Sequence, residues 1–107
     1  GGDVENGNGT GGSSLGDFDD QFNINLQHNR SGVLSFAKGN DDTNDSQFFI
    51  TEVATPSLNA NHSVFGQLIE GEEVRQAISN TAVIPNTETP VNNVVIQSIT
   101  LFDDVEN

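Results

Sequence analysis

The chain has 107 residues and a mass of 11.4 kDa, room for one domain and too little for two. Its 16 Asp and Glu residues face 3 bases (Arg30, Lys38, Arg75), giving a net charge of −13 and a pI near 4.1, and such a surface repels nucleic-acid phosphates and anionic lipid headgroups alike. Cysteine is absent, so there is no disulfide, thiolate metal site or cysteine nucleophile, and no apolar run approaches the ~18–20 residues of a membrane helix.

Residues 1–16 read as a loop punctuated by Gly1, Gly2, Gly7, Gly9, Gly11, Gly12 and Gly16, with only Val4 and Leu15 apolar. A glycine-rich loop can cradle phosphate. This one lacks the Gly-Lys-Ser/Thr ending of a P-loop, and Asp3 and Glu5 would oppose an anion. No basic n-region or apolar h-region marks a signal peptide. Both ends, Gly1-Gly2-Asp3 and Phe102-Asp103-Asp104-Val105-Glu106-Asn107, read as cut from something longer.

Residues 32–37 (Gly-Val-Leu-Ser-Phe-Ala) read as a short strand, and residues 38–46 as a polar loop. The β-branched and aromatic run 47–53 is the next strand, bounded by turn residues. A loop with Pro56 as its stiff element covers 55–61, and a third strand covers 63–69. Residues 72–79 place Val74, Ala77 and Ile78 at helical spacing, with acids in the first turn where the macrodipole favours them. After a Pro/Asn/Thr loop at 84–93, residues 94–102 read as a final strand. Val95, Ile99 and Leu101 lie on one of its faces, Val94, Ile96 and Phe102 on the other. The domain is thus mostly β with one short helix. Asp41, Asp42 and Asp45 raise the question of calcium, but the EF-hand glycine and terminal glutamate are missing, and no metal or cofactor is expected.

Three strings carry a family resemblance: Gly32-Val33-Leu34-Ser35-Phe36-Ala37, Thr43-Asn44-Asp45-Ser46-Gln47-Phe48-Phe49-Ile50-Thr51, and Leu58…His62-Ser63-Val64-Phe65-Gly66. Together they resemble the cyclophilin family of peptidyl-prolyl isomerases. The opening Gly1-Gly2-Asp3…Gly9-Thr10-Gly11-Gly12, the segment Phe18-Asp19-Asp20-Gln21-Phe22 and Glu70-Gly71-Glu72 fit the same family in the same order. The resemblance implies an antiparallel eight-stranded barrel with a proline-binding groove on its outer face. It also implies that residues 1–107 form a single domain truncated on its N-terminal side, so that the barrel is incomplete. The family's catalytic arginine would precede Gly1, and Arg30 and Arg75 lie in the wrong motifs to replace it.

By the same resemblance, Phe49 matches the phenylalanine of the proline pocket, Leu58 and His62 its other walls, and Gln47 the glutamine beside them. Ala37, Lys38 and Gly39 match the segment whose backbone pairs with the residues before the proline. Gly9, Thr10, Thr43 and Ser46 would border the neighbouring pocket. On residue type alone, Phe48 and Phe49 would be core and surface of one strand, and His62 a solvated histidine. With the match, Phe49 and His62 become pocket residues, Phe48 stays core, and His28 is structural. Ser57 stands where many cyclophilins carry a tryptophan, which removes an indole donor and predicts weak binding of cyclosporin-type ligands. Phe36 replaces a usual methionine and fills volume.

The implied activity is cis-trans isomerisation of X–Pro bonds in peptides or unfolded proteins, with no nucleic-acid partner and no membrane insertion. A second reading is a non-catalytic proline-peptide binding module within a larger secreted acidic protein. A third is a stable acidic spacer. The acidity, abundant asparagine and lack of cysteine suit an extracellular or periplasmic setting.

Overall fold

The computed structural model describes residues 1–40 and 42–102. Asp41, one of the three acids of the calcium reading, lies outside the described residues, as does the terminal Asp103–Asn107. Strands β1 (Val33–Phe36), β2 (Phe48–Ile50) and β3 (Val64–Gln67) form one antiparallel sheet in the order β2-β1-β3. A 3₁₀ turn covers Pro56–Leu58 and helix α1 covers Glu72–Ser79.

Each strand is the central part of the run expected from sequence. Its flanks still pair, but irregularly: Ala37 N–H donates to the Gln47 carbonyl at 3.0 Å and Gly32 N–H to that of Thr51 at 2.8 Å. Helix α1 has the bounds its spacing predicts. It starts at Gly71, whose φ of +90° is a left-handed conformation that costs glycine little, and its first turn carries a Glu72–Arg75 ion pair at 2.7 Å.

Register decides what the sheet does with its side chains. Ser35 lies opposite both Phe49 and Val64, Leu34 opposite Ile50 and Gly66, and Phe36 opposite Phe48. Between Leu34 and Ser35 the β1–β3 pairing shifts, leaving Phe65 as the extra residue of a bulge. That bulge brings Phe65 onto the Phe36 ring at 4.2 Å between centroids, and Phe18 meets Phe36 edge-on at 4.9 Å. One face of the sheet is therefore aromatic. The other carries Val33 and Ser35 and buries His28, Thr51 and Ser63 with them.

This core is thin. Val33 is the one buried hydrophobic side chain among the described residues. The chain exposes 7949 Å², against about 5,800 Å² for a compact monomer of its mass. Its radius of gyration is 14.3 Å, where about 13 Å is usual. An open three-stranded sheet with one half-covered aromatic face is an incomplete barrel.

The expected final strand does not form. Residues 94–102 make no ladder, and Val95 and Leu101 are 73% and 86% exposed. Apolar residues on both faces suit a strand that is covered on both sides and paired along its edge. The sheet of the described residues gives 94–102 neither. The apolar stripe of α1 is likewise uncovered, with Val74 and Ile78 exposed.

Candidate functional site

Phe49 reaches the polar face of the sheet because β2 pairs it with Ser35. Its ring meets His62 at right angles, 5.4 Å between centroids, and lies parallel to the His28 ring at 6.0 Å. His62 is held in turn by β1. Its Nδ1 lies 3.0 Å from the Phe36 carbonyl, and because a carbonyl only accepts, Nδ1 carries the proton and donates.

The loop between β2 and β3 places His62 and Leu58. Thr55 N–H donates to the His28 carbonyl at 2.8 Å, and the 3₁₀ turn that follows is closed by Leu58 N–H to the Thr55 carbonyl. The Leu58 carbonyl then accepts the His62 N–H at 3.0 Å. Leu58 is half-buried; Ser57 on the same turn is exposed. Beside His62 opens a cavity of about 280 Å³ with an apolar wall of Phe22, Ile24, Leu26, Ala60 and Val64.

A second cavity, of about 390 Å³, is bordered by Gly9, Ala37, Lys38, Gly39, Thr43 and Gln47, with Asp17 and Asp45 adding negative charge. Its glycine wall is shaped by two polar anchors. The Asp3 carboxylate accepts six backbone N–H groups, from Glu5 and Asn6 on Oδ1 and from Asn8, Gly9, Thr10 and Gly11 on Oδ2, at 2.9–3.1 Å. These bonds, the one from Asn6 first, hold its carboxyl far below the usual range. Gln47 Nε2 donates to the Gly11 carbonyl at 2.7 Å, tying the loop to the start of β2. At Gly2, with φ of +90°, a Cβ would collide with the Ser46 carbonyl oxygen, so the loop's first turn requires glycine.

Lys38 reaches the Asp20 carboxylate at 2.7 Å, with both side chains almost fully buried, and its ammonium lies 5.8 Å from the centre of the Phe22 ring. Asn44 Nδ2 donates to the other Asp20 oxygen at 2.7 Å. The Lys38 hydrogen bond lowers the Asp20 carboxyl from its ordinary value. The Lys38 charge is thus matched within the fold, leaving the acids of the cavity to set its sign.

The structure gathers the expected residues into two groups. Phe49 and His62 are in contact, with Leu58 joined to His62 through its carbonyl; Gly9, Ala37, Lys38, Gly39, Thr43 and Gln47 share the second cavity. Phe49 and Leu58 border neither cavity, and Thr10 and Ser46 do not line the second one. Thr10 hydrogen-bonds Asn8, while the Ser46 hydroxyl is buried with no partner among the described residues. Arg30 and Arg75 border neither cavity; Arg75 is paired with Glu72 on α1. No group of three or more His, Cys, Asp or Glu able to hold a metal ion occurs among the described residues.

Sequence reasoning missed one contributor to the shape of the glycine wall. It read Asp3 only as an obstacle to anions, although an acid at the head of a glycine loop faces many free amides. It read His28 as structural and outside the groove, and the structure buries it with its ring parallel to Phe49.

Comparison with known proteins identifies the family. The family model for cyclophilin type peptidyl-prolyl cis-trans isomerase/CLD matches residues 1–101. Over 97 residues, 89% of the chain, it is 47% identical to human peptidylprolyl isomerase domain and WD repeat-containing protein 1. Over the same share it is 42% identical to the Arabidopsis thaliana peptidyl-prolyl cis-trans isomerase CYP71. The chain spans 15% of the length of each of these relatives. Among solved structures, a Cryptosporidium parvum cyclophilin type peptidyl-prolyl cis-trans isomerase, crystallised in the presence of the dipeptide Ala-Pro, superimposes with a TM-score of 0.74 at 36% identity. The match covers 79% of this chain and 56% of that one. With its motifs, its sheet and its family match in agreement, the chain belongs to the cyclophilin-type peptidyl-prolyl cis-trans isomerases.

Proposed function

We propose that the perpendicular Phe49–His62 pair seats the proline ring of an X–Pro peptide, and that the second cavity takes a residue preceding it. The observation that carries this reading is the 5.4 Å edge-to-face contact of the two rings on one side of the sheet. A flat aromatic floor with a perpendicular wall fits a pyrrolidine ring, which offers apolar surface and no N–H. The β1–β2 connection supplies a backbone edge for the rest of an extended peptide, so that main-chain hydrogen bonds give affinity and the ring site gives selectivity.

Isomerisation asks for more than a socket. Twisting an X–Pro amide costs roughly 18–20 kcal/mol of lost resonance, and catalysis requires a donor that favours the twisted form over the planar one. A guanidinium near the proline nitrogen would serve, and neither Arg30 nor Arg75 borders the cavities. These 107 residues therefore bind X–Pro peptides and turn them over slowly. The absence of arginine from both cavities also favours a second reading, a proline-peptide binding module that does not catalyse.

Two-dimensional exchange NMR on Ala-Pro peptides with added chain tests both parts. Saturable shifts at Phe49 and His62 with little acceleration of cis-trans exchange are expected. Brisk exchange would overturn the account of the missing donor. Shifts confined to the cavity beside Phe22 would overturn the seat on Phe49.

A further inference from the structure

We infer that His28 is a positioning residue for the Phe49–His62 pair, setting the tilt of the floor and the height of the wall from behind. This rests on the proposed prolyl seat. His28 is 1% exposed, so it touches no ligand itself. Its ring lies parallel to Phe49 within 9°, on a side chain whose other contact, with His62, is perpendicular. Phe49 thus meets two imidazoles, one parallel to it and one edge-on.

The polar atoms of His28 reach the other elements of the site. Its backbone N–H and Nδ1–H both donate to Asn59 Oδ1, at 2.8 and 2.9 Å, which pins the residue directly after Leu58. Its carbonyl accepts the Thr55 N–H, fixing the entry to the same loop. Nε2 lies 2.9 Å from Ser35 Oγ, and that hydroxyl is 3.1 Å from the carbonyl of Ser63, the neighbour of His62. A hydroxyl carries a single proton, so Ser35 Oγ is shared between Nε2 and the Ser63 carbonyl. One buried imidazole therefore couples the sheet residue opposite Phe49, the Leu58 turn and the exit of the His62 loop. Ring placement within a few tenths of an ångström is what such a seat needs, and buried hydrogen-bonded groups supply it.

Two variants separate the two parts of this arrangement. His28→Phe keeps a flat ring against Phe49 and should fold, because Ser35 can still donate to Ser63 and Asn59 Oδ1 still accepts the residue-28 backbone N–H. His28→Gln keeps a donor for Asn59 and loses the ring. Val33→Ala serves as a control that loosens the same core without touching the pair. The readouts are the nuclear Overhauser contact between the Phe49 and His62 rings, Ala-Pro affinity by NMR titration and the fraction folded by far-UV circular dichroism.

Among folded molecules, His28→Phe and His28→Gln are each expected to weaken Ala-Pro binding by about threefold to tenfold. The ring–ring contact should shrink in both, while Val33→Ala leaves contact and affinity unchanged per folded molecule. Unchanged affinity and unchanged contact in both His28 variants would overturn the inference, as would an equal loss per folded molecule in Val33→Ala. If the wild-type chain fails to bind Ala-Pro, the prolyl reading falls alone, because the ring contact still reports whether His28 positions the pair.

Discussion

The two faces of the sheet are closed by different chemistry. On one, His28, Ser35, Thr51 and Ser63 are buried, and hydrogen bonds from Thr51 to the Arg30 carbonyl, from Ser35 to Ser63 and between His28 and Asn59 complete them within the chain. On the other, Phe18, Phe36, Phe48 and Phe65 pack ring to ring, yet Phe18 and Phe65 remain 40% and 46% exposed. Directional bonds are short-ranged, so a few residues close a polar cluster by themselves. Apolar stabilisation scales with area and needs a second layer to lie against. The lesson is that the face carrying the Phe49–His62 pair is the better determined of the two, although it holds the less hydrophobic residues.

The largest expected effect removes the floor of the site on the polar side. Phe49→Ala should lower Ala-Pro affinity by about 2 kcal/mol, roughly thirtyfold, as loss of a central aromatic contact does. NMR titration measures it. Affinity within about threefold of wild type would transfer the site to the cavity beside Phe22 and strip the polar face of its functional role.

A paired substitution then weighs the faces directly. Ser35→Ala leaves His28 Nε2 and the Ser63 carbonyl without the shared hydroxyl and should cost about 1–2 kcal/mol in urea unfolding. Phe36→Leu sits in the half-exposed aromatic cluster, where the rings are not tightly confined, and should cost about 1 kcal/mol or less. If Phe36→Leu proves the costlier of the two, the aromatic face is the main support and the comparison reverses.

Sequence pattern alone found the three strands and the helix because each is settled locally: by β-branched runs between turn residues at Val33–Phe36, Phe48–Ile50 and Val64–Gln67, and by acids and spacing at Glu72–Ser79. It failed at 94–102, where strand formation depends on an edge and two covers that the pattern cannot report. Motif likeness placed Phe49 and His62 in one pocket, and their rings are in contact, His62 coming from the loop that leads into β3. It read His28 as structural, as its burial bears out, but the parallel stack on Phe49 joins residues far apart in the chain and has no local signal. Asp3 went unrecognised for a different reason: its partners are backbone amides, which every residue of the glycine loop possesses.

Adding apolar surface beside the site sharpens the contrast further. Ser57 is exposed on the 3₁₀ turn next to Leu58, so Ser57→Trp introduces a large wall and an indole donor without displacing core. A gain of about 1 kcal/mol, roughly fivefold, in binding of cyclosporin-type macrocycles is expected, read by intrinsic fluorescence of the new indole. No gain would mean that the turn directs residue 57 away from the Phe49–His62 seat.

The smallest effect is local and concerns the glycine wall. Asp3 has a depressed carboxyl pKa because its charged form accepts six amides, so its contribution to order is present above the ordinary carboxylate range and is lost as pH falls through its lowered value. Asp3→Asn keeps the shape but replaces one accepting oxygen with an NH2 group that only donates, so the bonds on that side are lost and those on the other lose the help of the charge. The amides of Glu5, Asn6 and Asn8–Gly11 should then exchange faster with solvent while the urea midpoint stays put, because the loop lies at the surface and its opening is separate from global unfolding. Ala-Pro binding should weaken about twofold, through the Gly9 rim of the second cavity rather than through the rings. Hydrogen exchange measured residue by residue distinguishes this from a general loss of structure: uniform acceleration into β1 and β2 would show that the loop, and not the polar face, is what holds the sheet.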